Sequence, residues 1–200
     1  MAEIPRLLLA AADVKYTDDR IAFVRNADGS VGGDWPALKE SMPYKQVPVF
    51  KYNGTVISQS SSIIRFIAKQ YHLDGDNEID SAIVDSGFEA ILDARKAYFT
   101  VKSDAEKVAK FWATGLNDQL ALIAKNIPAG SASSVPWFNG KRMTYADVAI
   151  YYTLWVLNTE NSEAVQLALK ENPKVAAIFT AVETSERIAK YLAARPVTPM

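Results

Sequence analysis

Apolar residues recur along this chain with two different periods, and the change from one to the other divides it. Ile4, Leu7, Leu8 and Ala11 fall at helical spacing, so residues 2–12 (AEIPRLLLAAA) predict a short buried helix, with Pro5 tolerable in its first turn. Val14 to Phe23 (VKYTDDRIAF) mixes β-formers with charges and predicts a strand near a sheet edge. Residues 26–33 (NADGSVGG) predict a loop, after which Asp34 can cap a short helical turn opened by Trp35 and Pro36. Gln46 to Tyr52 (QVPVFKY) and Thr55 to Ser58 (TVIS) flank Asn53-Gly54, a strong signal for a two-residue hairpin. Pro48 confines the first of these strands to an edge or places a cis bond at its head. Ser60 or Ser61 then caps a helix running to about Tyr71.

Residues 72–78 (HLDGDNE) are polar and predict a linker. Beyond it, Ile79–Thr100, Ser103–Ile127, Thr144–Leu157 and Pro173–Ala194 all carry apolar residues at three- and four-residue spacing, with a shorter helix over Ser162–Leu169. The expected architecture is therefore a small α+β domain over residues 1–73 and an all-helical domain over residues 79–200. Residues 128–136 (PAGSASSVP) predict a small, flexible loop, and Thr144 with Asp147 forms a T-x-x-D capping pair read as structural.

Composition narrows the chemistry. Of 200 residues, 49% are hydrophobic and 22% charged, and Lys+Arg 22 against Asp+Glu 23 gives a net charge of −1. No sequence-wide basic field exists to hold nucleic acid or an anionic membrane. With no cysteine and a single histidine, His72 in the linker, a thiolate metal site, a cysteine nucleophile and a serine–histidine triad are all disfavoured, and no metal is expected. Sulfur chemistry here needs sulfur from a ligand. The apolar run Leu7–Ala12 is too short to span a bilayer, and Glu3 and Asp13 beside it argue against a signal peptide, so the cytoplasm is the expected compartment.

The segment Pro43 to Arg65 concentrates unusual polar placement. A cis Val47-Pro48 bond turns the backbone of Val47 outward to pair with an extended ligand, and a helix beginning at Ser60 offers unpaired N–H groups to a carboxylate, with Gln59 beside it. These parts suit a short peptide with a free carboxylate. The plainer alternative is a hairpin followed by a capped helix, with Gln59 merely exposed.

The order of features resembles the cytosolic glutathione transferases, in which a thioredoxin-like domain is followed by a helical one. AEIPRLLLAAADVKYTDDRI is similar to that family's first helix and second strand. DWPALKESMPYKQVPVF is similar to the sigma-type stretch leading to its cis-proline, SQSSSIIRFIA to its Gln-Ser element and third helix, GKRMTYADVAI to its second-domain folding motif, and IAKYLAARP to its closing helix. The resemblance implies conjugation of the glutathione thiol to hydrophobic electrophiles, with glutathione as co-substrate, in a homodimer. It places Trp35, Lys39 and Gln46 at the glycine end of glutathione, the Val47 backbone along its cysteinyl unit, Gln59 and Ser60 at the γ-glutamyl carboxylate, and Glu89 (with Asp85 one turn earlier) as the acid lent across the dimer. The electrophile is expected on the helix from Ile79 to Thr100, near Ile91, Arg95 and Tyr98. In the family a Tyr closing the first strand donates to the glutathione sulfur. This chain opens inside the first helix, so that Tyr is expected before residue 1, and no motif places Tyr16 or Tyr44 as its substitute. The rival expectation is a non-catalytic binding or structural protein on the same scaffold.

Overall fold

The computed structural model describes residues 2–128 and 136–196, so the expectation for residues 128–136 falls largely outside the described residues. Helix α1 (Glu3–Ala11) buries Ile4, Leu7 and Leu8 completely, the stripe its spacing predicts. The strand expected over Val14–Phe23 does not form. Only Phe23–Arg25 (β1) is a strand, and it pairs antiparallel with Val31–Gly33 (β2), inside the stretch expected to be a loop. The charges explain the rest: Asp18 accepts from Arg6 of α1 at 2.9 Å and from Arg20 at 2.7 Å, tying the segment to a helix, and among the described residues no second strand lies beside it. Gly33, at φ +78°, is required, because a Cβ there would collide with the Ala22 carbonyl.

Asp34 precedes the short helix α2 (Trp35–Leu38) but caps nothing. It is spent on the hairpin instead, its carboxylate accepting from the Ala22 N–H at 3.3 Å while its own N–H donates to the Ala22 carbonyl at 3.1 Å. Two 3₁₀ turns, Lys39–Ser41 and Pro43–Lys45, lead to the predicted hairpin of β3 (Val49–Tyr52) and β4 (Thr55–Ser58). Asn53 and Gly54 have φ of 46° and 79°, the left-handed pair that a type I′ turn demands. Helix α3 (Ser60–Gln70) follows, with Gln59 rather than a serine at its N-cap position and no side-chain cap.

The helical part begins with α4 (Glu78–Val101), capped by the Asn77 side chain. The helix expected over Ser103–Ile127 is α5 (Ala105–Lys110) and α6 (Leu116–Asn126), joined by a π-turn over Phe111–Gly115. Helix α7 (Tyr145–Glu160) is buried on almost every side, packs on α4 and forms the centre of the core. Helix α8 (Ser162–Glu171) closes on it. The last expected helix divides at Ser185 into α9 (Pro173–Thr184) and α10 (Glu186–Ala194), because Ser185 turns extended and its N–H and hydroxyl both donate to the Val182 carbonyl. The buried core is continuous: Leu7 and Leu8 of α1 and Ile63, Ile64 and Ile67 of α3 join the same cluster as α4 and α7. No helix among the described residues is long and apolar enough to cross a membrane.

Candidate functional site

The corner between β3 and α3 is built by strand register. Val49 lies opposite Ser58, so the next positions outward are Pro48 and Gln59, and Val47-Pro48 is a cis bond. Gln59 Nε2 donates to Gln46 Oε1 at 3.3 Å, bringing together two side chains 13 positions apart in the sequence. Gln59 adopts φ 69° and ψ 119°, a conformation that costs a non-glycine residue roughly 1–3 kcal/mol and that clusters at binding sites. The first intrahelical bond of α3 is the Ile63 N–H to the Gln59 carbonyl at 2.9 Å, so the N–H groups of Ser60, Ser61 and Ser62 are not used within the helix. Among the described residues the N–H and C=O of Val47 have no partner either. The corner thus presents a short backbone edge, an amide side chain and a helix N-terminus, a set that accepts a peptide along the edge and a carboxylate at the helix start.

Trp35 opens α2 and Lys39 follows its last residue, one turn on, the Lys39 N–H donating to the Trp35 carbonyl. Trp35 is half-buried and stacks on Phe23 at 5.3 Å, whereas Lys39 is exposed. Among the described residues no hydrogen bond or ion pair joins either one to Gln46 or Gln59. Tyr16 lies beside Asp18, and burial with that carboxylate raises its pKa, which keeps the phenol protonated. Tyr44 is 75% exposed.

Two domain models of one family cover this architecture. The glutathione S-transferase N-terminal domain matches residues 1–69 and the glutathione S-transferase C-terminal domain matches residues 92–195. Glutathione S-transferase 1 of Ascaris suum is 30% identical over 209 residues, covering 100% of this chain and 93% of that protein. The chain belongs to the glutathione S-transferase family. S-crystallin SL11 of Nototodarus sloanii is 28% identical over 200 residues, covering 97% of this chain and 91% of that protein, a likeness in line with the sigma-like pattern. The crystal structure of the glutathione S-transferase from Ascaris lumbricoides superposes with a TM-score of 0.79 at 29% identity, over 99% of this chain and 93% of that one.

Within this transferase fold, α4 carries the remaining candidates. Glu89 forms an ion pair with Arg65 of α3. Arg65 also grips Asp85, at 2.8 Å through Nε, and the Tyr145 hydroxyl donates to the same carboxylate at 2.6 Å. Partial burial favours a neutral Asp85, but these two donors outweigh it and hold the carboxyl below its usual range. Sequence reading missed this cluster, since Arg65 is one basic residue in a helix and its partners lie 20 and 24 positions away. Ile91 is fully buried and Tyr98 is 4% exposed, its hydroxyl donating to Glu160 at 2.8 Å, so both belong to the core rather than to an open pocket. Their spacing, three and four residues from Arg95, is that of a core-facing helix stripe. Of the three, Arg95 borders an open groove of about 480 Å³ along α4.

Proposed function

We propose that this chain binds glutathione at the Val47–Gln59–Ser60 corner and conjugates its thiol to hydrophobic electrophiles, as a homodimer in the cytosol. The observation that carries this reading is the left-handed Gln59, bonded to Gln46 and standing between a free backbone edge and a helix N-terminus. In this reading residues 1–73 hold glutathione: Val47 pairs with the cysteinyl unit, Gln59 and Ser60 take the γ-glutamyl carboxylate, and Gln46, Trp35 and Lys39 line the glycine end. Residues 79–200 supply the electrophile side through α4. Glu89 reaches the glutamyl amine of the partner's glutathione, in exchange with Arg65. A thiol of pKa ~8.5 is only a few per cent ionised at neutral pH, and each unit of lowering requires about 1.4 kcal/mol of preference for the thiolate. Binding and activation are therefore separate demands on the site.

The test reads them separately. The chain is expected to be retained on immobilised glutathione and released by free glutathione, and to yield a coloured conjugate from 1-chloro-2,4-dinitrobenzene. Gln59→Ala is expected to weaken retention about tenfold, the effect of removing a hydrogen bond to a charged group. Unchanged retention of that variant overturns the placement. Retention without conjugation marks a binding protein on the transferase scaffold.

A further inference from the structure

Helix α10 runs along α1 in the opposite direction and is fastened to it by polar contacts at both ends. At one end Arg187 Nη1 donates to the Ala11 carbonyl at 3.1 Å, an acceptor of the kind that the last turn of a helix leaves open. At the other, the Tyr191 hydroxyl donates to Glu3 Oε1 at 2.8 Å, and Arg195 Nη1 donates to the same oxygen. Ile188, Tyr191, Leu192 and Arg195 recur at three- and four-residue spacing and form the inner stripe of α10. Of these only Ile188 is fully buried, whereas α9 buries Val175, Ile178 and Val182. The apolar seal under α10 is therefore small.

Glu3 depends on this partner. Its side chain is 13% exposed and that of Arg195 is 16% exposed. The cation on its own helix, Arg6, is shared: Nε donates to Asp18 at 2.9 Å, and Nη1 reaches Glu3 only at 3.3 Å. A carboxylate withdrawn from water is costly unless it is paired and hydrogen-bonded, and α10 brings both a cation and a hydroxyl. Burial and the Glu3 charge raise the Tyr191 pKa, which keeps that hydroxyl protonated and donating. The Arg195 guanidinium also lies over the Trp155 ring of α7 at 4.7 Å. Ser185, with ψ at 130°, already takes the backbone out of helix between α9 and α10, which makes it the natural pivot. Once α10 is away, water replaces it around Glu3 and Arg195, and that limits the cost of opening. A helix of nine residues does not hold its shape in isolation, so undocking and unwinding of α10 are one event.

We propose that α10 is a detachable strap, closed on α1 by the Glu3 carboxylate through Tyr191 and Arg195, and that it opens about Ser185 as a unit while the rest of the fold stays intact. Opening uncovers the Trp155 ring and releases the first turn of α1 from the helical part of the molecule.

Hydrogen exchange of the full chain, followed by mass spectrometry on peptides covering α7, α9 and α10, tests this. In the unmodified chain the amides of α10 are expected to exchange at least tenfold faster than those of α7, as an element that opens below global unfolding does. Glu3→Gln removes the charge and keeps the shape; it is expected to speed α10 about a further tenfold, the worth of a hydrogen bond to a charged group, with α7 and α9 unchanged. Arg187→Gln, at the exposed end of the strap, is expected to change it only about twofold. Tyr191→Phe leaves the ion pair in place, is expected to speed α10 about tenfold, and carries the comparison if Glu3→Gln does not fold. Equal protection of α7 and α10 in the unmodified chain overturns the proposal without recourse to any variant. It is also overturned if the substituted Glu3 or Tyr191 leaves α10 exchange as it was or speeds α7 equally, or if Arg187→Gln has as large an effect.

Discussion

Replacing Asp147 by alanine tests how this fold holds a buried charge. Asp147 and Thr144 are both fully buried at the head of α7, and Phe138 is 1% exposed. The Asp147 carboxylate accepts the Phe138 N–H at 2.6 Å, the Thr144 N–H at 2.7 Å and the Thr144 hydroxyl at 2.7 Å, completing a capping box. Alanine leaves those three donors buried without an acceptor, at about 2 kcal/mol each, or about 6 kcal/mol together. Against this stands the cost of keeping the carboxylate charged out of water, which pushes its pKa from 3.8 up to about 6 despite the hydrogen bonds from Thr144 and Phe138. Two units correspond to about 3 kcal/mol at neutral pH, which the variant recovers. The net expectation is a loss of about 3 kcal/mol at pH 7.5, or about 6–12 °C in Tm for a chain of this length.

The same numbers fix the sign of the pH dependence. A carboxyl whose folded pKa is raised binds more protons folded than unfolded between the two values, so its contribution to stability grows as pH falls from above 6 towards 4. Between pH 7.5 and pH 5 the gap between the unmodified chain and Asp147→Ala is expected to widen by about 1 kcal/mol. Urea unfolding of both proteins at the two pH values measures it. A loss within about 0.5 kcal/mol at pH 7.5 refutes the accounting of donors, and a gap that narrows on acidification refutes desolvation as the dominant influence.

Two further substitutions probe the elements around this cap. In Gly87→Ala a Cβ on α4 meets the Phe138 ring well inside contact distance, and overpacking of this kind costs about 1–3 kcal/mol, read as a lower urea midpoint with an unchanged slope; a stability equal to that of the unmodified chain shows that Phe138 can move aside. Asp85 should respond to pH in the opposite sense to Asp147. Its folded pKa is depressed by Arg65 and Tyr145, so the stability it lends is present above about pH 4 and lost as pH falls further, and unfolding of Asp85→Asn is expected to converge on that of the unmodified chain between pH 6 and pH 3. A constant difference across that range assigns the effect of the substitution to packing.

What the sequence disclosed was decided within a few residues of itself. Asn53-Gly54 supplies both left-handed positions of its turn, and Thr144 and Asp147 lie one helical turn apart, so neither needs a distant partner to be read. The strand expected at 14–23 failed for the complementary reason: β-forming residues make a strand only beside another, and Asp18 found Arg6 and Arg20 instead. Val31–Gly33 went unread although Gly33 carried a usable signal, since a glycine ending a short β run marks a close backbone approach, here to Ala22. At the candidate site the Gln46 and Gln59 positions were legible from Pro48 and the helix start, but the left-handed conformation of Gln59 was not, because nothing in its side chain demands it. Its neighbours on both sides do, by turning a strand into a helix at that one position.

Asp147 and Arg95 show how differently this fold treats two charges carried on helix faces. Asp147 is fully buried and Arg95 only partly so, and burial disfavours the charged form of each. Asp147 is surrounded by donors that its own fold provides within nine residues, so its environment is complete, and removing it breaks the helix cap. Arg95 lies beside two aromatic rings, has no carboxylate partner among the described residues, and borders an open groove on the surface of α4. The part of its guanidinium that stays open to water is solvated there, so Arg95 tolerates the lack of a carboxylate partner that a fully buried charge such as Asp147 could not.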